Sequence, residues 1–287
     1  MNKSFKGKVA QMTFPIWFLY SKILMKRKKL NIYSELETIE LLKKGYSIGR
    51  FGDGEINIAM GKTYGINFQK YSVELQRNLQ ELLGENSFAN EKFLIGIPQS
   101  MSTYQGFCYK QIIFWSIYNS SKRNWLIKHL YDEGQGQQYG DAFFARVNGF
   151  KNYSRVEFYN KITLLKEIWN QKRILIVEGE KVRLGVDNDL LSTAETIARI
   201  LVPALNAYDY YDEIVKCVVE QNNIDMVLIV AGPMATVMAY DLYKKGFQVI
   251  DIGQFNDDYK DAAMKFGGFQ GMILEEQDYE KQIVCRI

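Results

Sequence analysis

The stretch SIGRFGDGEI, residues 47–56, sets two carboxylates, Asp53 and Glu55, two residues apart, with Arg50 just upstream. Gly52 and Gly54 flank Asp53 and reach backbone conformations that other residues resist, so the turn can close tightly around a small charged object. A phosphate-bound metal ion is one such object; a solvated turn at a strand end is the plain alternative. Three more segments carry comparable chemistry. Residues 178–189 hold Glu178, Glu180, Lys181, Arg183, Asn188 and Asp189, with Gly179 and Gly185 for bends. Arg and Lys at a strand end bind diphosphate, and Asn and Asp bind ribose or base, although a loop of charges is more often only solvated. Residues 231–236, AGPMAT, put Gly232 where a strand gives way to a helix and Pro233 in its first turn, leaving backbone N–H groups that favour an anion. Residues 251–261, DIGQFNDDYKD, offer Asp251, Asp257, Asp258 and Asp261, so a general base is available there.

Composition narrows the classes. The chain has 287 residues, 47% hydrophobic and 24% charged, as in an ordinary globular protein with a large core. Its 3 cysteines, Cys108, Cys217 and Cys285, are far apart in sequence and form no C-x-x-C pair, so neither a disulfide framework nor a zinc site is indicated, which suits a reducing cytoplasm. A single histidine, His129, excludes any multi-histidine metal site. The net charge of +3 is unevenly spread: residues 1–30 carry eight basic residues and no acidic one, and the remainder is net acidic. Within this arm the apolar run FPIWFLYSKILM, residues 14–25, is too short to span a bilayer and is followed by no small-residue cleavage site. It reads either as an amphipathic arm lying on an anionic membrane surface or as a first helix packed on the domain with a solvated basic end. A short arm on an acidic domain disfavours nucleic acid as a partner.

The elements that must position these residues alternate. Ser34 caps a helix with Glu37 three residues later, Leu36, Ile39 and Leu42 on its apolar side and Gly45 at its end. A strand follows at YSIGRF, then a helix at 72–84, a strand at KFLIGIP and an aromatic helical stretch over 105–130. GQGQQYG, residues 134–140, reads as a flexible break. Beyond Ser154 come helix 154–169, strand RILIVEG, helix LSTAETIA (191–198), strand RILVP, helix YYDEIVKCVVEQ, strand DMVLIVAG, helix PMATVMAYDLYKKG and strand QVIDIG. Apolar strands separated by helices imply an α/β fold: a Rossmann-like, mostly parallel sheet with helices on both faces. The expected organisation is an N-terminal arm, 1–30, and a single domain, 31–287. Ligands in such folds bind at the carboxyl ends of the strands, where the loops EGEKVRLGVDND, PALNAYD, AGPMAT and GQFNDD emerge.

Read together, RFGDGE (50–55), EGEKVRLGVDNDLL (178–191), PALNAYDYYDEI (203–214), GPMAT (232–236) and IDIG (250–253) resemble, in order and spacing, the GT-D type bacterial glycosyltransferases, from about residue 33 to about 269. That resemblance implies a metal-dependent enzyme that uses a UDP-sugar to extend glycans on surface glycoproteins or polysaccharides. Asp53 and Glu55 match the family's D-x-E pair, tied to Mn²⁺ or Mg²⁺ and nucleotide-sugar binding. Arg183, Asn188 and Asp189 fall on its Arg and Asn-Asp positions, and Asn206 on the Asn of its Pro-to-Asn-Ala motif. With Arg50, Gly52 and Gly232 these are the expected donor-site residues. FFARV, with Arg146 at its centre, looks like a further family segment.

Departure of UDP builds charge on a diphosphate, which a cation held by hard oxygen ligands neutralises. Direct attack by an acceptor hydroxyl on the sugar carbon inverts it and needs a carboxylate base, for which Asp258 is the first candidate and Asp257 the second. After IDIG the family tends to have a His and a Glu-Tyr-Glu cluster, where this chain has Gln254, Asn256, Asp258, Tyr259 and Lys260. The change motivates an alternative: a catalytically impaired nucleotide-sugar-binding subunit of a glycosylation complex. A dinucleotide oxidoreductase is disfavoured, and a P-loop enzyme excluded, by the absence of G-x-G-x-x-G and G-x-x-x-x-G-K-[ST] from the 178–191 loop. The expected location is cytoplasmic, peripheral to the inner face of the cell membrane through residues 1–30, with a glycan or glycolipid acceptor.

Overall fold

The computed structural model describes residues 3–62, 68–84, 91–130 and 137–287, with the side chains of 3–11, 276 and 277 left aside. In chain order the elements are α1 (Lys3–Arg27), β1 (Asn31–Ile32), α2 (Glu35–Lys43), β2 (Ser47–Arg50), α3 (Asp53–Ala59), α4 (Val73–Gly84), β3 (Phe93–Ile97) and α5 (Tyr109–His129). There follow β4 (Gln138–Asp141), α6 (Arg155–Ile168), β5 (Arg173–Gly179), β6 (Thr196–Val202), α7 (Tyr211–Val219), β7 (Met226–Val230) and α8 (Met234–Lys244). The last are β8 (Val249–Asp251), α9 (Phe255–Phe266), α10 (Glu276–Gln282) and β9 (Ile283–Arg286). Nine strands form one sheet in the order β1-β4-β3-β2-β8-β7-β5-β6-β9, and every ladder in it is parallel.

A parallel sheet buries both faces, and the apolar runs of β5 and β7 do so residue by residue. Leu175, Val177, Val227 and Ile229 face α3, α4, α5, α7 and α8, whereas Ile174, Ile176, Met226 and Leu228 face α2, α6 and α9. Each of these fully buried aliphatic side chains contributes roughly 1.5–3 kcal/mol. Capping boxes start α2 at Ser34 and α6 at Ser154, with Glu37 and Glu157 reaching back to the cap. The seam between β2 and β8 matters most for function. The chain leaves β2 for α3 on one face and leaves β8 for α9 on the other, so a crevice opens above the two strand ends.

The structure corrects three local expectations. Residues 191–198 are not a helix: 191–193 form a turn, 195 a bend, and Thr196, Ile197 and Ala198 already pair with Arg173, Ile174 and Leu175 of β5. The helix-like spacing there loses to the long β5 ladder, which β-branched Thr and Ile favour. In the segment read as a flexible break, Gln138–Gly140 belong to β4, while 134–136 lie outside the described residues. Cys217 and Cys285, 68 residues apart, are joined as a disulfide, because β9 returns to the sheet edge beside β6, against which α7 packs. The arm's helix α1 packs along α5, with Ser21, Leu24 and Met25 buried.

Candidate active site

Above the seam lies a cavity of about 1090 Å³. It is lined from β2 and α3 by Arg50, Gly52, Asp53 and Glu55, from the β4 loop by Arg146 and Phe150, and from the β5 loop by Lys181. Gly232 closes it after β7, and Asp251, Gln254, Asn256 and Asp257 close it from β8 and α9. Its size suits a nucleotide-sugar-sized ligand.

Arg50 is the fixed cation of the floor. Its guanidinium donates to Asp251 Oδ1 at 3.1 Å and to the Ala142 carbonyl at 3.0 Å, its amide donates to Asp251 Oδ2 at 3.2 Å, and its carbonyl accepts from Thr236 at 2.8 Å. Burial pushes the Asp251 carboxyl up, with Arg50 pulling the other way. The guanidinium lies over Gly253, whose φ is 57°; a Cβ there would sit 1.7 Å from Nη2, so only glycine fits.

The D-x-E pair sits on the first turn of α3. Glu55 accepts from the Gly52 amide at 2.8 Å, and burial, helped by the neighbouring Asp251 charge, pushes its carboxyl up to about 7. Asp53 stays open to solvent at the cavity wall, yet the low-dielectric surroundings raise its carboxyl against the pull of Arg146. Among the described residues no three His, Cys, Asp or Glu side chains cluster to hold a metal by themselves. Two hard carboxylates nevertheless fit an ion of the Mg²⁺ or Mn²⁺ type, which completes its shell from phosphate oxygens and water rather than from a protein cage.

Arg146 faces Asp53 and Asp258. Its Nε lies 2.7 Å from Asp258 Oδ2, and its guanidinium stacks on Phe150 at 4.3 Å. Burial raises the Asp258 carboxyl to about 6 although Arg146 opposes the shift. Beneath it, the buried Glu35 accepts from Tyr153 at 2.9 Å and pairs with Lys151 and Lys161, each at 3.1 Å. Lys161 in turn donates to the Arg146 carbonyl at 2.8 Å. This network fixes the loop that carries Arg146.

The other expected residues take different places. Asp257 is exposed and lines the cavity, whereas Asp258 is turned to Arg146. Asn188 is buried and donates to Asn256 Oδ1 at 3.0 Å, and Asp189 binds Lys166 at 2.7 Å and the Tyr259 hydroxyl. Both fasten the 178–190 loop to α6 and α9, and it is Asn256 that carries that frame to the cavity. Arg183 stacks on Tyr279, 5.2 Å away, on the α10 side. Asn206, with φ 56°, accepts the Lys70 amide at 2.8 Å and donates its own amide to the Phe68 carbonyl at 2.8 Å. It thereby straps Phe68 and Gln69 into the cavity wall, with the Phe68 ring against Gly232. Lys181, a cation suited to diphosphate by its segment, does line the cavity, and Asp251, one of the four carboxylates offered as a base, is paired with Arg50 instead; Phe68, Gln69 and Phe150 gave no local signal.

Known proteins resemble this chain over most of its length. The chain matches the glycosyltransferase GT-D fold family over residues 48–268. It is 33% identical over 225 residues to a probable glycosyl transferase Gly of Streptococcus gordonii, and 29% identical over 268 residues to the glycosyltransferase GlyD of Streptococcus pneumoniae. These alignments cover 77% and 88% of this chain but only 31% and 32% of those proteins, so the chain spans about a third of their length. Among solved structures, a domain of unknown function 1792 described as having a distinct glycosyltransferase fold superposes with a TM-score of 0.82 at 29% identity, covering 94% of this chain and 99% of that one. A glycosyltransferase of the same domain type from Streptococcus sanguinis superposes at 0.79 with 27% identity, covering 90% and 100%. The chain belongs to the family of glycosyltransferases with the GT-D fold.

Proposed function

We propose that this protein transfers a sugar from a UDP-sugar to a hydroxyl of a glycan or glycolipid acceptor, in the cytoplasm where nucleotide sugars are made. The observation that carries the reading is that Asp53 and Glu55 line one cavity together with Arg50, Arg146 and Lys181. Carboxylates and cations in one cavity suit a diphosphate that arrives with its own counterion. Asp53 and Glu55 would hold Mn²⁺ or Mg²⁺, which when bound supplies charge neutralisation for the leaving diphosphate. Arg146 and Lys181 bind the phosphates. The Phe68 wall and Gly232 border the base and ribose, and the buried Asn188 and Asp189, with Arg183 stacked on Tyr279, keep the donor loop in shape.

The acceptor oxygen attacks the anomeric carbon as the bond from that carbon to the diphosphate oxygen breaks. The acceptor proton passes to a carboxylate on the opposite side, and the configuration inverts. Asp257 is suited to that role by its place on the cavity wall; Asp258 acts on Arg146, holding its guanidinium beside Asp53. The engagement of Asp258, with Gln254 on the same edge, also favours a second reading, a subunit that binds nucleotide sugar without turning it over.

Titration calorimetry with UDP and Mn²⁺ tests the binding half of this reading. The wild type binds UDP more tightly with metal than without, and Asp53→Ala/Glu55→Ala loses the difference. Unchanged metal-dependent affinity in the double variant removes the metal assignment.

A further inference from the structure

Helix α1 has two faces of opposite character. One is fixed to the domain: Ser120 donates to the Trp17 carbonyl at 3.1 Å, and the buried Arg123 donates to the carbonyls of Leu24 at 3.1 Å and Lys28 at 2.6 Å. Arg123 therefore caps the carboxyl end of α1, so the helix is a built part of the molecule. The other face carries Met12, Ile16, Leu19, Tyr20 and Ile23, which at helical spacing form one row and are 82%, 69%, 64%, 42% and 42% exposed. The same row runs on into the exposed Lys26 and Arg27, and Lys28 and Lys29 follow, also exposed.

We propose that this face docks α1 in the plane of an anionic lipid surface. A row of large apolar side chains left in water is the mark of an interaction face. Charge selects the occupant: residues 1–30 contain eight basic residues and no acidic one, so the row is bordered by a single sign of charge. Acidic headgroups meet Lys26, Arg27, Lys28 and Lys29 while Ile16, Leu19 and Ile23 enter the acyl boundary. Among the described residues no helix is long and apolar enough to cross a membrane, so the contact is in-plane. None of the row lines the cavity. The inference is independent of the donor and the metal.

Flotation of the full chain with two kinds of vesicle tests it: phosphatidylcholine alone, and phosphatidylcholine with about one third phosphatidylglycerol. The wild type floats with the anionic vesicles and stays behind with the neutral ones. Ile16→Ser/Leu19→Ser/Ile23→Ser, and separately Lys26→Glu/Arg27→Glu, lower the bound fraction at least about tenfold, with unchanged circular dichroism and UDP affinity. Absence of wild-type binding, or equal binding by both variants, overturns the proposal. So does lipid-free self-association that the serine variant abolishes, which assigns the face to a second copy of the chain.

Discussion

Arg50 and Asp251, 201 residues apart in sequence, meet at 3.1 Å where β2 and β8 end side by side. The pair joins the two halves of the sheet at the floor of the cavity, with side chains only 15% and 5% exposed. Removing one partner strands the other charge in a low-dielectric place. Asp251→Ala is expected to cost about 3 kcal/mol in urea unfolding, and Asp251→Asn, which keeps acceptor capacity, clearly less. Equal stability of Asp251→Ala and wild type would show that the pair does not hold the seam.

Arg146 is the cation whose partners are divided between the D-x-E pair and Asp258. Arg146→Ala is expected to weaken UDP binding by about tenfold to a hundredfold, the loss of one charge-assisted phosphate contact. Arg146→Lys should recover part of it, because a lysine keeps the charge without the planar fork. Calorimetry of both variants reads the difference; unaltered affinity in Arg146→Ala means that the phosphates lie elsewhere.

Asn206 touches the site only through the strap it holds. Asn206→Ala loses the bond from the Lys70 amide and leaves alanine at φ 56°, so Phe68 and Gln69 are less well placed. The Michaelis constant for donor should rise about fivefold, the worth of about one hydrogen bond, with little change in turnover number. A fall in turnover alone would assign Asn206 to the reacting atoms instead.

Asp141, at the end of β4, is wholly buried; its Oδ1 accepts from the amides of Gln99 at 3.1 Å and Phe143 at 2.9 Å. Burial, with the nearby Glu35 charge, raises its carboxyl from 3.8 to about 7. The folded protein thus holds a proton that the unfolded chain releases, and this residue's contribution to stability falls as pH rises from about 4 to about 7, then levels off. Asp141→Asn has no such proton, so its stability relative to wild type should improve across that window by on the order of 3 kcal/mol. Urea unfolding of both proteins at the two ends of the window measures it; parallel pH profiles would contradict the buried-acid account.

What was legible in the sequence was local. Ser34 and Glu37 announce a capped helix because both partners lie within one turn, and RILIV and MVLIV announce buried strands because the whole run is apolar. RFGDGE stood out because its glycines and carboxylates are adjacent, and Asp53 and Glu55 do lie on the cavity wall. The ion pairs of Arg50 with Asp251 and of Arg146 with Asp258 depend on strand order, which no short window contains. Asn188 and Asp189 have the residue types of a ligand-binding loop, but their bonds to Asn256 and Lys166 are made by tertiary neighbours, as is the β5 pairing that turns 196–198 into strand.

The most direct test of the central claim, that this cavity transfers sugar from a UDP-sugar, is incubation with a panel of UDP-sugars and Mn²⁺, reading UDP release by mass spectrometry. Wild type is expected to consume at least one donor in a metal-dependent way. Asp53→Ala should abolish the signal, and Asp257→Asn should lower it at least about a hundredfold. Tight UDP binding with no donor consumed by the wild type, or full turnover in Asp53→Ala, would contradict it.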